Sequence, residues 1–297
     1  MSDKGKLKDW FELLRLFSWP CIILPAALGG LFAYHQGDFS LPRFLYLLAG
    51  ILLIHVPITV VNEYYDVKFE IDTLEQEKPS TVLVEKRINP EFALQTAHIL
   101  LLLAALAATG YALLTGIGGV IIFAALGIFI GYFYTAPPLS FKYRGLSLPA
   151  NFITLGLLIP QAVLYGLNGS LYPAGLGLSL PPALLISAIL WVNDMRDIEA
   201  DREIITLVGI LGLSKSYYVY LMMLVLPYFV MLYYLLNSRI SLLGLLTLLT
   251  LPLTLKLARQ AWKGINQQAE KLAYLDEKTA VLMLIFNLIW LLGYYTM

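Results

Sequence analysis

Long apolar runs, separated by short polar segments, dominate the amino-acid sequence. The hydrocarbon core of a bilayer is about 30 Å thick, so a helix needs roughly 20 mostly apolar residues to cross it. Backbone that is not helical would leave polar groups unsatisfied in lipid, so each run of that length predicts a transmembrane α-helix. The runs lie at residues 13–34, 42–65, 92–114, 117–136, 148–168, 176–196, 213–236, 239–257 and 279–296. We therefore expect an all-α polytopic membrane protein, with nine transmembrane helices in a single domain that covers residues 1–297.

The composition supports this class. Hydrophobic residues make up 59% of the 297 residues and charged residues only 13%, and the mean hydropathy is +0.74. Soluble domains are typically about 45–50% apolar and about 25% charged, so a soluble protein is excluded. The one cysteine, Cys21, lies inside the first apolar run and rules out an internal disulfide. Residues 7–17 predict an amphipathic interfacial helix, with Trp10 at the level of the lipid headgroups.

The basic residues are distributed unevenly between the two sides that nine crossings would create. Eighteen of the 20 Lys and Arg residues lie on the same side as the N-terminus, and only Arg43 and Arg239 lie on the other. Basic residues accumulate in the cytoplasmic loops of membrane proteins. We therefore expect a multi-pass cell-membrane protein with its N-terminus and long polar loops in the cytoplasm and its C-terminus on the opposite side. We expect membrane lipid, and no nucleic acid, as a partner.

Two acidic clusters follow directly on apolar runs, at the depth of the membrane interface. Unpaired carboxylates there are costly and usually mark a functional site. In both clusters an Asn precedes an acid by four residues, a spacing that places side chains on one face of a helix. Neighbouring carboxylates repel each other unless a cation lies between them, and Mg²⁺ commonly joins carboxylates to substrate phosphates. The residues that could bind such a cation are Asn62, Asp66, Glu70 and Asp72 in the first cluster and Asn193, Asp194, Asp197 and Asp201 in the second.

The positions of the two clusters also bear on the organisation of the chain. They end the second and the sixth apolar runs, which are four runs apart. This is the pattern of an internal duplication, in which helices 1–4 are repeated as helices 5–8 and a ninth helix is added. The two halves have diverged too far for sequence identity to establish the repeat, which is therefore an expectation from spacing alone.

Basic residues on the predicted cytoplasmic side, where the acidic clusters also lie, could balance the negative charge of a diphosphate. Arg15 begins the first run, Lys142 and Arg144 lie in the loop 134–145, and Arg202 follows the second cluster. Mg²⁺ and cationic side chains together bind phosphate oxygens. At a membrane surface such a site suits a lipid diphosphate, of which prenyl diphosphates are the commonest. Mg²⁺ and cationic side chains would stabilise the departing pyrophosphate. The prenyl chain would be left as an allylic cation, which a dry, aromatic pocket would protect from water until an acceptor attacks it. A carboxylate could take the proton that the acceptor releases.

The two clusters and the loop between them resemble the UbiA superfamily of intramembrane prenyltransferases. The matching motifs are Asn-x₃-Asp-x₅-Asp from residue 62, Asn-Asp-x₂-Asp-x₃-Asp from residue 193, and Tyr-Thr-x-Pro-Pro…Lys-Tyr-Arg-Gly over residues 134–145. The stretch Tyr-Tyr-Asp-x₄-Ile-Asp-Thr and the run Arg15…Pro20…Pro25-x₃-Gly29 resemble the menaquinone-forming branch of this superfamily. The resemblance extends from Arg15 to Leu213, which is most of the chain.

This resemblance implies a nine-helix bundle and Mg²⁺-dependent transfer of a polyprenyl group from an isoprenyl diphosphate, for example geranylgeranyl diphosphate. The acceptor would be aromatic, such as the quinone precursor 1,4-dihydroxy-2-naphthoate. The resemblance implies two groups of metal ligands, Asn62, Asp66 and Asp72 in the first cluster and Asn193, Asp197 and Asp201 in the second. It implies that Lys142 and Arg144 contact the diphosphate, with Arg15 and Arg202 as further candidates. It places Tyr134 near the reacting carbon.

The chain departs from the family pattern at three places. Glu63 stands where Asp is commoner, and Glu70 competes with Asp72 for the role of third acid in the first cluster. The segment 201–207 is about two residues shorter than the usual loop, which puts one phosphate contact in doubt. Two other functions remain open from the residues. One is prenyl transfer to a glycerol-phosphate ether lipid, and the other is cation-coupled transport, which the interfacial position of the acids argues against.

Overall fold

The computed structural model describes residues 6–71, 80–198, 204–266 and 269–297. Within these ranges the protein is helical and has no β-strand; only an isolated bridge joins Arg144 to Ile205. The predicted all-α class is confirmed. The longer helices are α1 Leu7–Leu13, α2 Pro20–His35, α3 Leu41–Lys68, α4 Pro90–Thr115, α5 Val120–Tyr132, α6 Ser147–Asn168, α7 Leu180–Arg196, α8 Leu207–Leu236, α9 Leu242–Asn266 and α10 Leu275–Tyr295. Short helical turns lie at Leu16–Ser18, Phe141–Tyr143, Gly175–Leu178 and Ala269–Leu272.

The described helices differ in whether they are long enough to span a membrane. Among them, six (α3, α4, α6, α8, α9 and α10) are long and apolar enough, and the segment Leu7–Ser18 together with α2, bent by 51°, makes a seventh candidate. The predicted runs 117–136 and 176–196 each contain a shorter helix, α5 with 13 residues and α7 with 17 residues. A multi-pass membrane protein is therefore supported, whereas the count of nine crossings stays a prediction.

Proline and glycine decide where several of these helices begin or change direction. Proline occupies the first turn of α2, α3, α4 and α7, where its missing N–H has no helical partner to lose. In α6 a wide π-helical stretch, Phe152–Leu158, directly precedes Pro160. Helix α8 is broken at Gly212, whose φ of 75° and ψ of 159° are not helical. The predicted seventh run begins at residue 213, immediately after this break.

Close helix packing forms the main core. Helix α2 packs on the second half of α6, α3 packs on α4 and α5, and α7 packs on α8 and α10. Gly29 of α2 lies so close to α6 that a Cβ atom there would be 2.3 Å from the carbonyl oxygen of Pro160. Small residues allow such approaches between membrane helices, where dispersion forces rather than the hydrophobic effect hold helices together.

A second, smaller core covers the end of α3 that carries the first acidic cluster. Leu13, Val82, Leu83 and Ile88 are fully buried there, against the last turns of α3 and the first turns of α4. We call α1 and residues 80–89 the N-terminal cap.

Arg87 is the centre of the polar contacts in this cap. Its guanidinium donates to Asp9 at 2.6 Å, to Glu12 at 2.9 Å and to the hydroxyl of Thr81 at 3.2 Å. These bonds hold α1 against the loop.

The pH dependence of the cap tests this description. The backbone N–H of Lys6 and the Arg87 guanidinium lower the pKa of Asp9, and Arg87 lowers the pKa of Glu12. Carboxyls with lowered pKa values stabilise the fold above their unfolded pKa and lose that contribution as the pH falls through the folded value. We therefore expect hydrogen-exchange protection of α1, corrected for the intrinsic rate, to be constant above about pH 5 and to fall below about pH 4. An Arg87→Met variant should have low protection at every pH; an unchanged pH profile in that variant would contradict the assignment.

Candidate active site

Asn62 and Asp66 of the first acidic cluster lie on the last turns of α3, and Asp66 is paired with a lysine. Asp66 is 5% exposed. The Nζ atom of Lys142 lies 2.7 Å and 2.8 Å from its two carboxylate oxygens, and the hydroxyl of Tyr143 donates to Oδ1 at 2.9 Å. Three hydrogen bonds from two side chains of one loop therefore hold this carboxylate. The residue predicted to bind metal and the residue predicted to bind diphosphate are in direct contact.

The two residues at the start of this cluster have different surroundings. The side-chain oxygen of Asn62 accepts a hydrogen bond from Thr135 Oγ1 at 3.0 Å. Glu63 is fully buried and points to the N-terminal cap, where Ser80 Oγ donates to Oε1 at 2.7 Å. Its Oε2 lies 3.8 Å from Nη2 of Arg15. Glu63 therefore joins α3 to the cap, and it binds the arginine that was predicted to contact diphosphate.

The loop 133–146 returns to the end of α5 and thereby places its basic residues. The backbone N–H of Phe141 donates to the carbonyl of Phe133 at 3.1 Å, and that of Lys142 donates to the carbonyl of Tyr134 at 2.7 Å. These bonds direct Lys142 to Asp66. Arg144 is exposed, and its Nη2 donates to the carbonyl of Pro138 at 2.9 Å.

The described residues of the second acidic cluster, Asn193, Asp194 and Asp197, lie at the end of α7. Asp194 accepts a 3.5 Å contact from Ser147 Oγ at the start of α6. Asp197 is held by its neighbour Arg196, whose Nε and Nη2 donate to its two carboxylate oxygens at 2.8 Å each. Arg196 also donates to Asp276 of α10 at 2.8 Å. Asp197 therefore has its charge balanced by a residue that was not among the predicted site residues.

Tyr134 connects the two clusters. Its hydroxyl accepts a hydrogen bond from Nδ2 of Asn151 at 3.0 Å, and the same Nδ2 donates to the carbonyl of Ser147 at 2.9 Å. Tyr134 is thus joined to Asp194 through Asn151 and Ser147, and its backbone carbonyl accepts from Lys142, which binds Asp66. Its place near the reacting carbon stays a prediction.

An apolar cavity of about 190 Å³ extends from this point into the bundle. Asn62, Tyr134 and Asn151 line it, and its remaining walls are mainly aliphatic side chains, alanines and glycines of α3, α4, α5 and α6. A polar site with charges at one end and an apolar cavity beneath it suits a molecule with an ionic head and a hydrocarbon tail.

The structure does not place every predicted site residue at the polar end of the cavity. Asn62, Asp66, Tyr134 and Lys142 are together, and Asp194 is joined to them through Ser147 and Asn151. Glu70 is exposed beyond the last turn of α3, at a φ of 59°. In the part of the chain that the structure describes, no three His, Cys, Asp or Glu side chains are grouped closely enough to hold a metal. Asp72, Asp201 and Arg202 lie outside the described residues, so the full set of predicted ligands stays a prediction.

Several residues of the site did not stand out in the sequence. Thr135 and Tyr143 belong to the loop motif, but their partners could be identified only in the structure. Ser147 and Asn151 lie one turn apart at the start of α6, in a run that otherwise looks like an ordinary membrane span. Ser80 has no sequence signal at all.

Comparison with known proteins identifies the family. The sequence model of the UbiA prenyltransferase family matches residues 22–294. The chain belongs to the UbiA prenyltransferase family. It is therefore an enzyme that transfers prenyl groups in a membrane, and the alternative of a cation-coupled transporter is wrong. The resemblance in the sequence motifs is confirmed at the level of the family.

The UbiA-family chain is similar over nearly its whole length to animal proteins named UbiA prenyltransferase domain-containing protein 1. It is 31% identical to the human protein over 302 residues, which cover 98% of this chain and 85% of the human one. It is 28% identical to the Drosophila melanogaster homologue over 310 residues, which cover 97% and 79% of the two chains. These relatives support the family.

Solved structures support the fold. A UbiA homologue from Archaeoglobus fulgidus bound to DMAPP and Mg²⁺ has a TM-score of 0.66 at 18% identity, over 95% of this chain and 99% of that one. A structure of digeranylgeranylglyceryl phosphate synthase has a TM-score of 0.65 at 18% identity and covers 100% of both chains. The predicted UbiA-type bundle is confirmed by this likeness.

The Asp66–Lys142 pair can be tested by stability measurements. Replacing Lys142 with Met would leave the carboxylate of Asp66 buried without its cation, so we expect a loss of about 3 kcal/mol in stability. The double variant Asp66→Asn/Lys142→Met removes both charges and should recover most of that loss. Thermal unfolding of the purified proteins in detergent measures both effects. If the double variant were as unstable as Lys142→Met alone, the pair would not account for the loss.

Proposed function

We propose that this protein transfers a polyprenyl group from an isoprenyl diphosphate to an aromatic acceptor and releases pyrophosphate. The observation that carries the proposal is the position of the Asp66–Lys142 pair at the polar end of an apolar cavity, beside Asn62 and Tyr134. The charged end suits the diphosphate and the cavity suits the hydrocarbon chain. The bound DMAPP of the Archaeoglobus fulgidus homologue supports the same class of substrate.

The side chains of the site fit Mg²⁺. The candidate ligands are all carboxylate or amide oxygens, which are the donors that Mg²⁺ prefers. Among the described residues, the side-chain oxygen of Asn193 is buried without a hydrogen-bond donor, which is unusual for a buried acceptor and suits a cation ligand. Asn62, Asp66, Asn193, Asp194 and Asp197 would hold the metal. When bound, Mg²⁺ would stabilise the negative charge of the departing pyrophosphate.

The cationic side chains would bind the diphosphate. Lys142 is already held at the site by the carboxylate of Asp66, so its ammonium group needs little movement to reach a phosphate oxygen. Arg144 is exposed on the same loop and can turn its guanidinium from the Pro138 carbonyl to a phosphate. Arg15 is attached to Glu63 and would be a weaker contact. These preformed charges stabilise the leaving group without the cost of reorganising water.

The cavity would protect the allylic cation. Apolar walls exclude water, which would otherwise capture the cation before the acceptor does. Tyr134 lies where the cavity meets the charged residues, so its ring can stabilise positive charge through the cation–π interaction. The bond between the diphosphate oxygen and the first carbon of the chain would break, with the electron pair leaving on pyrophosphate, and a ring carbon of the acceptor would then bond to that first carbon. Asp66 or Asp194 could take the proton that the aromatic ring loses.

We further propose that the acceptor is a quinone precursor of the menaquinone type, such as 1,4-dihydroxy-2-naphthoate. The motifs shared with the menaquinone-forming branch support this choice. The distribution of basic residues supports nine crossings with the site facing the cytoplasm. Transfer to a glycerol-phosphate ether lipid is the competing outcome that the assay must separate.

The activity is tested with protein purified in detergent. Geranylgeranyl diphosphate, Mg²⁺ and a panel of acceptors, including 1,4-dihydroxy-2-naphthoate and geranylgeranylglyceryl phosphate, are supplied, and pyrophosphate and prenylated product are measured. We expect turnover with the naphthoate, and we expect EDTA to abolish it and added Mg²⁺ to restore it. Turnover with the ether lipid alone would replace the proposed acceptor, and no turnover with any acceptor would refute the proposed reaction.

The acid clusters are tested in the same assay. Because the loss of a metal ligand weakens transition-state stabilisation by several kcal/mol, we expect Asp66→Asn and Asp197→Asn to lower kcat/KM by about 100-fold or more. Glu70→Gln, at the exposed position, serves as the matched control and should stay within about threefold of the parent. Full activity in either Asp variant would remove that residue from the metal site. A large loss in Glu70→Gln would make Glu70 the third acid.

A further inference from the structure

The cavity beneath the site has a measurable length. On α3 its lining begins at Asn62 and ends at Tyr46, which are 16 residues apart and therefore about 24 Å apart along the helix. On α6 the lining runs from Ala150 to Ala162, a distance of about 18 Å. Two separate helices thus give a cavity about 18–24 Å deep, with the charged residues at one end.

Two tyrosines stand at the far end of this cavity. The rings of Tyr46 on α3 and Tyr111 on α4 have their centroids 5.2 Å apart. The hydroxyl of Tyr46 donates to the carbonyl of Ala107 at 3.0 Å, and that of Tyr111 donates to the carbonyl of Gly166 at 2.6 Å. Hydrogen bonds therefore hold the two rings against α4 and α6, with Tyr111 buried and Tyr46 42% exposed at the end of the cavity.

A glycine keeps the middle of the cavity wide. Gly127 of α5 lines the cavity, and no described atom lies within 4 Å of the place where its Cβ would be. One turn nearer the site, a Cβ on Gly131 would be only 2.2 Å from Cδ1 of Ile58, so that glycine serves helix packing. Gly127 differs because its missing side chain leaves space for a ligand and not for a neighbouring helix.

From these three observations we infer that the cavity limits the length of the prenyl chain, with Gly127 keeping the path open and Tyr46 and Tyr111 ending it. Four main-chain carbon–carbon bonds of about 1.5 Å give an isoprene unit a length of about 5 Å. A depth of about 18–24 Å therefore holds about four units. This inference rests on the proposed function, and it makes chain length a property of residues outside the acid motifs.

The limit is tested first by binding, which does not depend on transfer. Prenyl diphosphates of two, three, four and six isoprene units are titrated with Mg²⁺ into the parent protein, and their dissociation constants are measured. We expect affinity to increase up to four units and the six-unit chain to bind at least tenfold more weakly than the four-unit chain. Equal affinity for four and six units would overturn the limit. If the chains rank as expected but no acceptor is prenylated, the limit holds and the proposed transfer fails.

Three variants identify the residues that set the limit. Gly127→Leu fills the cavity about one helical turn below Gly131, so the affinity ratio of the four-unit to the two-unit chain should fall at least tenfold. Gly118→Leu is the matched control, because Gly118 also has no described atom within 4 Å of its Cβ position but does not line the cavity, and the ratio should not change. Tyr46→Ala opens the far end, so the six-unit chain should gain at least fivefold. An unchanged chain-length preference in Gly127→Leu and Tyr46→Ala would refute the assignment.

Discussion

The pairing of Asp66 with Lys142 is the interaction on which the site depends. A carboxylate that is 5% exposed at the end of a membrane helix needs a cation and hydrogen-bond donors, because its desolvation would otherwise be very costly. Lys142 and Tyr143 supply both, and to do so the loop 133–146 must return to α3. The same return places Tyr134 over the cavity and brings Ser147 to Asp194. One charge pair thus fixes the loop that joins the two acidic clusters.

The site lies where charged residues meet the apolar walls of the cavity, and the two regions act together. The apolar walls of the cavity lower the local dielectric constant, so the charges at its end interact more strongly than they would in water. The N-terminal cap adds a second cover over α3, with Leu13, Val82 and Ile88 fully buried and Glu63 bonded to Ser80. A reaction that passes through a cation needs this combination, because the charges must stabilise the leaving group while water is kept away.

The sequence allowed prediction of the helical class, the approximate spans and the acidic clusters. The length of an apolar run and an i, i+4 spacing can be read from neighbouring residues, and a membrane strictly limits how long a spanning helix must be. It did not allow prediction of contacts that depend on how distant segments meet. The neighbouring Arg196 binds Asp197, and Asn151 lies in a run that reads as an ordinary membrane helix but donates to Tyr134. The break at Gly212 and the π-helical stretch before Pro160 are likewise features that a hydropathy pattern does not contain.

The two acidic clusters have the same residue spacing but different surroundings. The motif alone therefore does not show which partner each of its residues binds. Asn62 already accepts a hydrogen bond from Thr135, whereas the corresponding oxygen of Asn193 is buried without a donor among the described residues. Asp66 is bound by a lysine from a distant loop, whereas Asp197 is bound by the adjacent arginine. In the proposed reaction a diphosphate could draw Lys142 away from Asp66 only if Mg²⁺ took its place, because the lysine would exchange one anion for another but the buried carboxylate would still need a cation. Arg196 also binds Asp276, so freeing Asp197 requires breaking a bond to α10 as well. The second cluster is therefore the one whose proposed contribution to metal binding depends most on the rest of the bundle.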